Sequence, residues 1–307
     1  MIKQILENLN AAIIGKDEVS KLILTAMLAG GHVLIEDVPG VGKTTFANTL
    51  AKTVDCKFSR IQFTPDTMPS DITGSSIYNY EQHCFEYVEG AVMSNIILAD
   101  EINRTSPKTQ ASLLEAMEEG RVTVDGKTHE LPQPFMVIAT QNPVMQRGTY
   151  YLPESQLDRF MMKLSVGYPQ REDAVRIVRN AVNKGTVLRT EPVINADGVN
   201  RLKEECRNVI ISDKLIEYAA ECVEKTREHE KVQLGASPRA LIAWVCAAKA
   251  YAFIEGRDYV LPDDLKYLAP FVLAHRLILR QYSSKDKIGE ADIVNEILRK
   301  VRVPVEK

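Results

Sequence analysis

Asp37-Val38-Pro39-Gly40-Val41-Gly42-Lys43-Thr44 lies between the apolar run His32-Val33-Leu34-Ile35 and the helix-forming run Thr45-Phe46-Ala47-Asn48-Thr49-Leu50-Ala51. A strand, a loop of small residues and a helix in that order make a phosphate cradle. Glycines at 40 and 42 let backbone N–H groups turn toward one centre, the helix adds its positive end, and Lys43 reaches the outer phosphates. Thr44 offers a hydroxyl suited to Mg2+. A purely structural glycine turn would leave Lys43 without a purpose. Asp37 stands where the pattern has glycine. A carboxylate aimed at a triphosphate opposes binding, so its side chain is expected to turn away and bond neighbouring backbone.

At 307 residues the chain exceeds the usual single-domain size, so one large α/β domain and a smaller second one are expected. Hydrophobic content of 45% and charged content of 26% are those of a soluble globular protein, and the net charge of -3 gives no global pull toward nucleic acid or anionic membrane. Cys56, Cys84, Cys206, Cys222 and Cys246 are scattered without metal-ligand spacing and read as reduced, mostly buried thiols. No run approaches the ~20 apolar residues of a membrane span, which makes the cytoplasm the expected location.

Along the chain, Val19, Leu22, Ile23, Ala26 and Met27 follow helical spacing, with Gly30-Gly31 as the stop. Before them, Ile13-Ile14-Gly15-Lys16 suits either packing against an adenine ring or an ordinary helix entry. The polar segment from Thr64 to Gly74 holds two prolines and is expected to interrupt helix. Ser76–Tyr80 and Cys84–Val88 are aromatic and β-branched and read as a hairpin. Ser106-Pro107 starts a helix that Gly120 closes, with Leu113 and Leu114 toward the sheet; Asp125-Gly126-Lys127 turns a second hairpin. From Asn195 onward the pattern is helical almost throughout, with starts at Ser237-Pro238 and Leu261-Pro262.

Two apolar runs end in polar residues: Ile96-Ile97-Leu98-Ala99 in Asp100-Glu101, and Phe135–Thr140 in Gln141-Asn142-Pro143. Buried parallel strands have this pattern, and their carboxyl ends are where open α/β sheets bind ligands. Asp100 is suited to holding Mg2+ through its water shell and Glu101 to polarising a water; a nucleotide kinase has no need of that second acid. Taken singly, the acids suit a solvated strand end and Asn142 a turn before Pro143. Arg159 and Arg239 are surface salt-bridge candidates by default. Each is also placed to fork onto phosphate oxygens, Arg239 from its own chain and Arg159 from a neighbouring subunit, with Arg104 a lesser candidate for that interface.

Asp37–Thr44, Leu98–Arg104, Ala139–Pro143, Gln156–Phe160 and Gly235–Arg239 together resemble the MoxR family of AAA+ ATPases, in the branch with a helix-2 insertion and a hairpin before sensor 1. The match spans nearly the whole chain. It implies an α/β fold: a three-layer αβα P-loop core with a parallel sheet over 1–168, carrying N-terminal helices and hairpins near 75–89 and 120–131, then a smaller all-α lid over 169–307. It implies ATP and Mg2+ as cofactors. Pro39, Gly40, Val41, Gly42, Lys43, Thr44 and Thr45 then bind nucleotide, and Thr44 and Asp100 hold the metal. Glu101 is the Walker B glutamate, Asn142 sensor 1, Arg159 the arginine finger and Arg239 sensor 2. The family implies a homo-hexameric ring that remodels or assembles protein substrates in a chaperone-like way, often with a von Willebrand factor A domain partner. Two alternatives stand beside this: an ATP-gated assembly scaffold in which hydrolysis only resets the state, and a nucleic-acid motor. The charge balance and the absence of a basic, aromatic stripe disfavour the motor, although Lys108, Arg121 and Lys127 are able to cluster.

Overall fold

The computed structural model describes residues 1–36, 42–141, 149–182, 190–280 and 288–304. These fall into two compact units. The first comprises Met1–Leu24, His32–Leu152 and Leu164–Arg201; the second comprises Thr25–Gly31, Pro153–Lys163 and Leu202–Lys307.

Helices α1 (Ile2–Ala12) and α2 (Asp17–Leu28) precede strand β1 (Val33–Glu36), and α3 (Lys43–Thr53) follows the loop. Between α1 and α2, Ile13 is buried, and Lys16 donates to the Tyr168 carbonyl at 3.1 Å. Next come β2 (Phe58–Gln62), α4 (Pro69–Thr73) and the hairpin β3 (Gly74–Asn79) with β4 (Cys84–Glu89). The α4 turn corrects the expectation that helix is interrupted from Thr64 to Gly74: Pro69 occupies the first helical position, where a missing N–H is harmless, and Asp71 accepts the Met68 N–H at 2.9 Å. Strand β5 (Ile96–Asp100) leads through a 3-10 turn (Ile102–Arg104) into α5 (Pro107–Glu119), capped by Ser106 and ended by Gly120. Leu113 and Leu114 are fully buried.

The second hairpin, β6 (Arg121–Val124) and β7 (Lys127–Glu130), turns through Asp125 and Gly126, both at positive φ; Lys127, expected in the turn, pairs with Val124 in the ladder. Strand β8 (Met136–Gln141), the short α6 (Glu154–Leu157) and β9 (Met162–Leu164) complete the sheet segment. The main sheet has the order β2-β5-β8-β1-β9. The β1/β8, β2/β5 and β5/β8 pairs are parallel. Residues such as Leu34, Phe46, Leu98 and Ile138 are fully buried around it, each contributing about 1.5–3 kcal/mol of hydrophobic stabilisation.

The remaining helices are α7 (Arg171–Val182), α8 (Ala196–Arg207), α9 (Asp213–Glu228), α10 (Pro238–Ile254), α11 (Pro262–Leu273) and α12 (Glu290–Lys300). In the second unit Trp244 is fully buried and donates to the Leu265 carbonyl at 2.8 Å, joining α10 to α11. An antiparallel pair, β10 (Val232–Leu234) with β11 (Ile278–Leu279), interrupts the helical pattern. All five cysteines are free, but only Cys206 and Cys222 are fully buried and Cys84 is exposed, which narrows the expectation of mostly buried thiols. Burial pushes the Cys206 and Cys222 thiols up to about 12, so they stay protonated and inert. No helix among the described residues is long and apolar enough to cross a membrane.

Candidate active site

Three central strands stay buried until their last residue and become half-exposed there: Glu36 in β1, Asp100 in β5 and Gln141 in β8. The register sets these residues along one edge, with Glu36 opposite Gln141 and Asp100 opposite Gln62. The Gln141 amide donates to Glu36 Oε1 at 2.9 Å. This is the carboxyl edge of the sheet, the side on which α/β folds place ligands.

Thr140 organises that edge. Its hydroxyl donates to Asp100 Oδ1 at 2.6 Å, and the same oxygen accepts the Glu101 N–H at 2.9 Å. Glu101 sits at φ 58, in the left-handed region that a side chain rarely adopts, so the bond to Thr140 fixes a turn the backbone would otherwise avoid. Sequence reasoning placed Thr140 at a strand end without assigning it a role. Its signal is the strand pairing, in which Ala99 opposite Ala139 brings the ends of β5 and β8 level.

Two arginines complete the cluster. Arg60 donates to Asp100 Oδ2 at 2.8 Å and to Gln62 Oε1 at 2.9 Å. Arg104 Nη1 and Gln62 Nε2 both donate to Glu101 Oε2, at 2.8 and 3.2 Å. Side-chain exposures of 45% for Arg60 and 46% for Arg104 make these exchangeable pairs worth about 0–1 kcal/mol each, whereas Thr140 is buried. Thr140→Val is therefore expected to cost ~1–3 kcal/mol, because it strands the Glu101 N–H and one Asp100 oxygen, while Thr140→Ser retains the wild-type melting temperature. Equal thermal unfolding of Thr140→Val and wild type would refute this pinning role.

Helix α3 follows Gly42, which adopts φ 86 and has no side chain with which to cap the first turn. A Cβ at Gly42 would meet nothing within 4 Å, so the backbone conformation, not close approach, demands glycine. The first-turn backbone of α3, half-buried Lys43 and exposed Thr44 and Thr45 are the described part of the cradle. Asp37, Pro39, Gly40, Val41 and Asn142 lie outside the described residues.

No three His, Cys, Asp or Glu side chains converge on a metal position among the described residues. A Mg2+ ion in a nucleotide site needs few protein ligands, since water and phosphate oxygens fill the remainder. The hard oxygens of Thr44 and Asp100 fit such an ion, and the Asp100 carboxylate already accepts a cationic partner in Arg60.

In the second unit, Arg159 is half-buried and Arg239 exposed, and Asp158, the residue before Arg159, bonds the N-cap of the helix that carries Arg239. Asp158 accepts Arg276 Nε on Oδ1 at 2.7 Å and the Ser237 hydroxyl on Oδ2 at 2.9 Å. Arg276, 2% exposed at its side chain, also donates to the carbonyls of Asp158, Phe160, Met161 and Val272. Burial lowers the Arg276 pKa from its ordinary value, the Asp158 carboxylate opposes that, and the charge of nearby Arg239 adds to the lowering. Burial also holds His275 well below its usual range, so the neutral ring donates Nε2–H to the Phe160 carbonyl at 3.1 Å. Asp158 and Arg276 are 118 positions apart, and nothing local in the sequence pairs them.

Residues 32–162 match the family model described as the ATPase family associated with various cellular activities (AAA), and residues 224–297 match the AAA lid domain. A Bacillus subtilis protein called YeaC, described as uncharacterized, is 52% identical over 307 residues, covering 100% of this chain and 96% of that protein. Chaperone MoxR1 of Mycobacterium tuberculosis is 41% identical over 302 residues, covering 95% of this chain and 79% of the relative. The crystal structure of a candidate ATPase from Cytophaga hutchinsonii superposes with a TM-score of 0.93 at 42% identity, covering 99% of this chain and 95% of that one.

Proposed function

The chain belongs to the MoxR family of AAA+ ATPases, and from that membership we propose that it hydrolyses ATP with Mg2+ in a homo-hexameric ring and uses the cycle to remodel or assemble partner proteins. The observation that carries the chemistry is the Asp100–Glu101–Thr140 cluster at the carboxyl edge of the sheet.

In this scheme Lys43 and the first-turn N–H groups of α3, with Pro39, Gly40, Val41, Thr44 and Thr45, bind the phosphates. Thr44 and Asp100 are the residues that would hold Mg2+, which would supply positive charge to offset that of the phosphates. Glu101 keeps Oε2 on Arg104 and Gln62 and uses Oε1 to orient a water and accept its proton. Asn142 helps place that water. Arg239 acts on its own chain's nucleotide and Arg159 on a neighbour's, each stabilising negative charge that grows during phosphoryl transfer.

The name of the Mycobacterium tuberculosis relative supports chaperone-like action on protein substrates. A von Willebrand factor A domain partner and a cytoplasmic setting belong to the same proposal. Native mass measurement and phosphate release test it together. Wild type is expected to assemble as a hexamer with ATP and to release phosphate only with Mg2+. Lys43→Ala, lacking the charged donor, is expected to bind ATP about 10- to 150-fold more weakly. Mg2+-dependent turnover absent from wild type, or unchanged in Lys43→Ala, would contradict the proposal.

A further inference from the structure

Asp158 touches more than one functional element of the second unit. One carboxylate oxygen receives Arg276 and the other receives Ser237. Ser237 caps α10, its Oγ accepting the Ala240 N–H at 3.2 Å, and Arg239 lies in the first turn of that helix. Arg159 is the next residue along from Asp158, and fully buried Phe160 follows it.

Both sides of this junction are firmly held. Arg276 and His275 grip the carbonyls of Asp158, Phe160 and Met161, so the segment carrying Arg159 has little freedom. On the α10 side, the Ala236 N–H donates to Thr226 Oγ1 and its carbonyl accepts Arg227 Nε, both at 2.9 Å. A Cβ on Gly235 would lie 2.7 Å from Arg227, so that loop is pressed against α9. The Ser237–Asp158 bond joins the two held pieces.

We propose that Asp158 is a positioning residue that binds the Arg159 segment and the Arg239 helix into one frame, so that the state of a subunit's own nucleotide is passed to the arginine it presents to its neighbour. This rests on the functions proposed for the two arginines, and on no contact of Asp158 with substrate. The coupling runs from Arg239 through α10 and the Ser237 hydroxyl to Asp158, and from there to Arg159. A neutral replacement of Asp158 strands the buried Arg276 charge and endangers folding, so the informative change is at Ser237. Ser237→Gly removes the hydroxyl but remains an acceptable helix cap, and Ser237→Thr keeps both.

Amide hydrogen exchange of the full chain, diluted below its assembly concentration, with and without a non-hydrolysable ATP analogue, decides the matter. In wild type and Ser237→Thr the analogue is expected to slow exchange at 158–161 by at least ~5-fold, the lower end of site-to-site couplings. In Ser237→Gly that response is expected to vanish, while slowing at 42–45 and in the first turn of α10 persists. A wild-type response at 158–161 retained in Ser237→Gly overturns the inference. So does a wild type that responds at 42–45 and α10 but not at 158–161. No response anywhere in wild type overturns the nucleotide reading itself.

Discussion

Arg159→Ala is expected to lower ATP turnover by about 10³- to 10⁵-fold while leaving the chain's own affinity for ATP nearly unchanged. In phosphoryl transfer the protein does little covalent chemistry; an arginine that meets the growing charge supplies on the order of 4–7 kcal/mol of barrier lowering. Other side chains also hold the segment that carries Arg159. Phe160 is fully buried beside it, and Arg276 and His275 hold the carbonyls of Asp158, Phe160 and Met161. Steady-state phosphate release, read alongside nucleotide titration, separates the two effects. A loss of less than ~10-fold would mean that Arg159 does not stabilise the transferring phosphoryl group.

Glu101→Gln is expected to reduce turnover by ~10²- to 10⁴-fold, the usual contribution of a general base, with ATP binding retained. The amide keeps the shape of the side chain and an oxygen for Arg104, and the backbone N–H to Thr140 is untouched. What is lost is the negative charge that polarises a water. Such a variant stays in its ATP state, which also separates two ways of working. Partner remodelling that stops in Glu101→Gln supports coupling to hydrolysis; remodelling that proceeds normally supports a scaffold gated by ATP alone. A turnover close to wild type would remove Glu101 from the catalytic machinery altogether.

Strands β5 and β8 were legible in the sequence because a continuous apolar run ending in Asp100 or Gln141 has one comfortable place, the middle of a parallel sheet with its polar end at the ligand edge. The cap at Ser106 and the Asp125-Gly126 turn were legible because each rests on local backbone chemistry. Helix α4 was missed because two prolines were read as breakers, although Pro69 stands at the one helical position that tolerates proline. The β10/β11 pair was missed because short strands held by a partner more than 40 residues away carry little local periodicity.

Within the site, sequence found the acids and not what holds them. Thr140, Arg60 and Gln62 reach Asp100 and Glu101 from neighbouring strands, about 40 positions away along the chain, through pairing that the sheet creates. The Asp158–Arg276 pair is the extreme case, since a buried charge announces itself only once its surroundings are folded. Arg104, a lesser candidate for a subunit interface, makes an exchangeable pair with the Glu101 of its own chain.

If one subunit completes the ATP site of the next, two inactive variants restore activity to each other when mixed. An Arg159→Ala subunit keeps its own Glu101 and is able to receive an intact Arg159 from a Glu101→Gln neighbour. Equal mixing with random placement gives such a pairing at about a quarter of the sites in a closed ring, so turnover is expected to recover toward about a quarter of the wild-type rate. Turnover that stays at the level of the separate variants, with mixed rings shown by native mass measurement to have formed, would contradict a shared site.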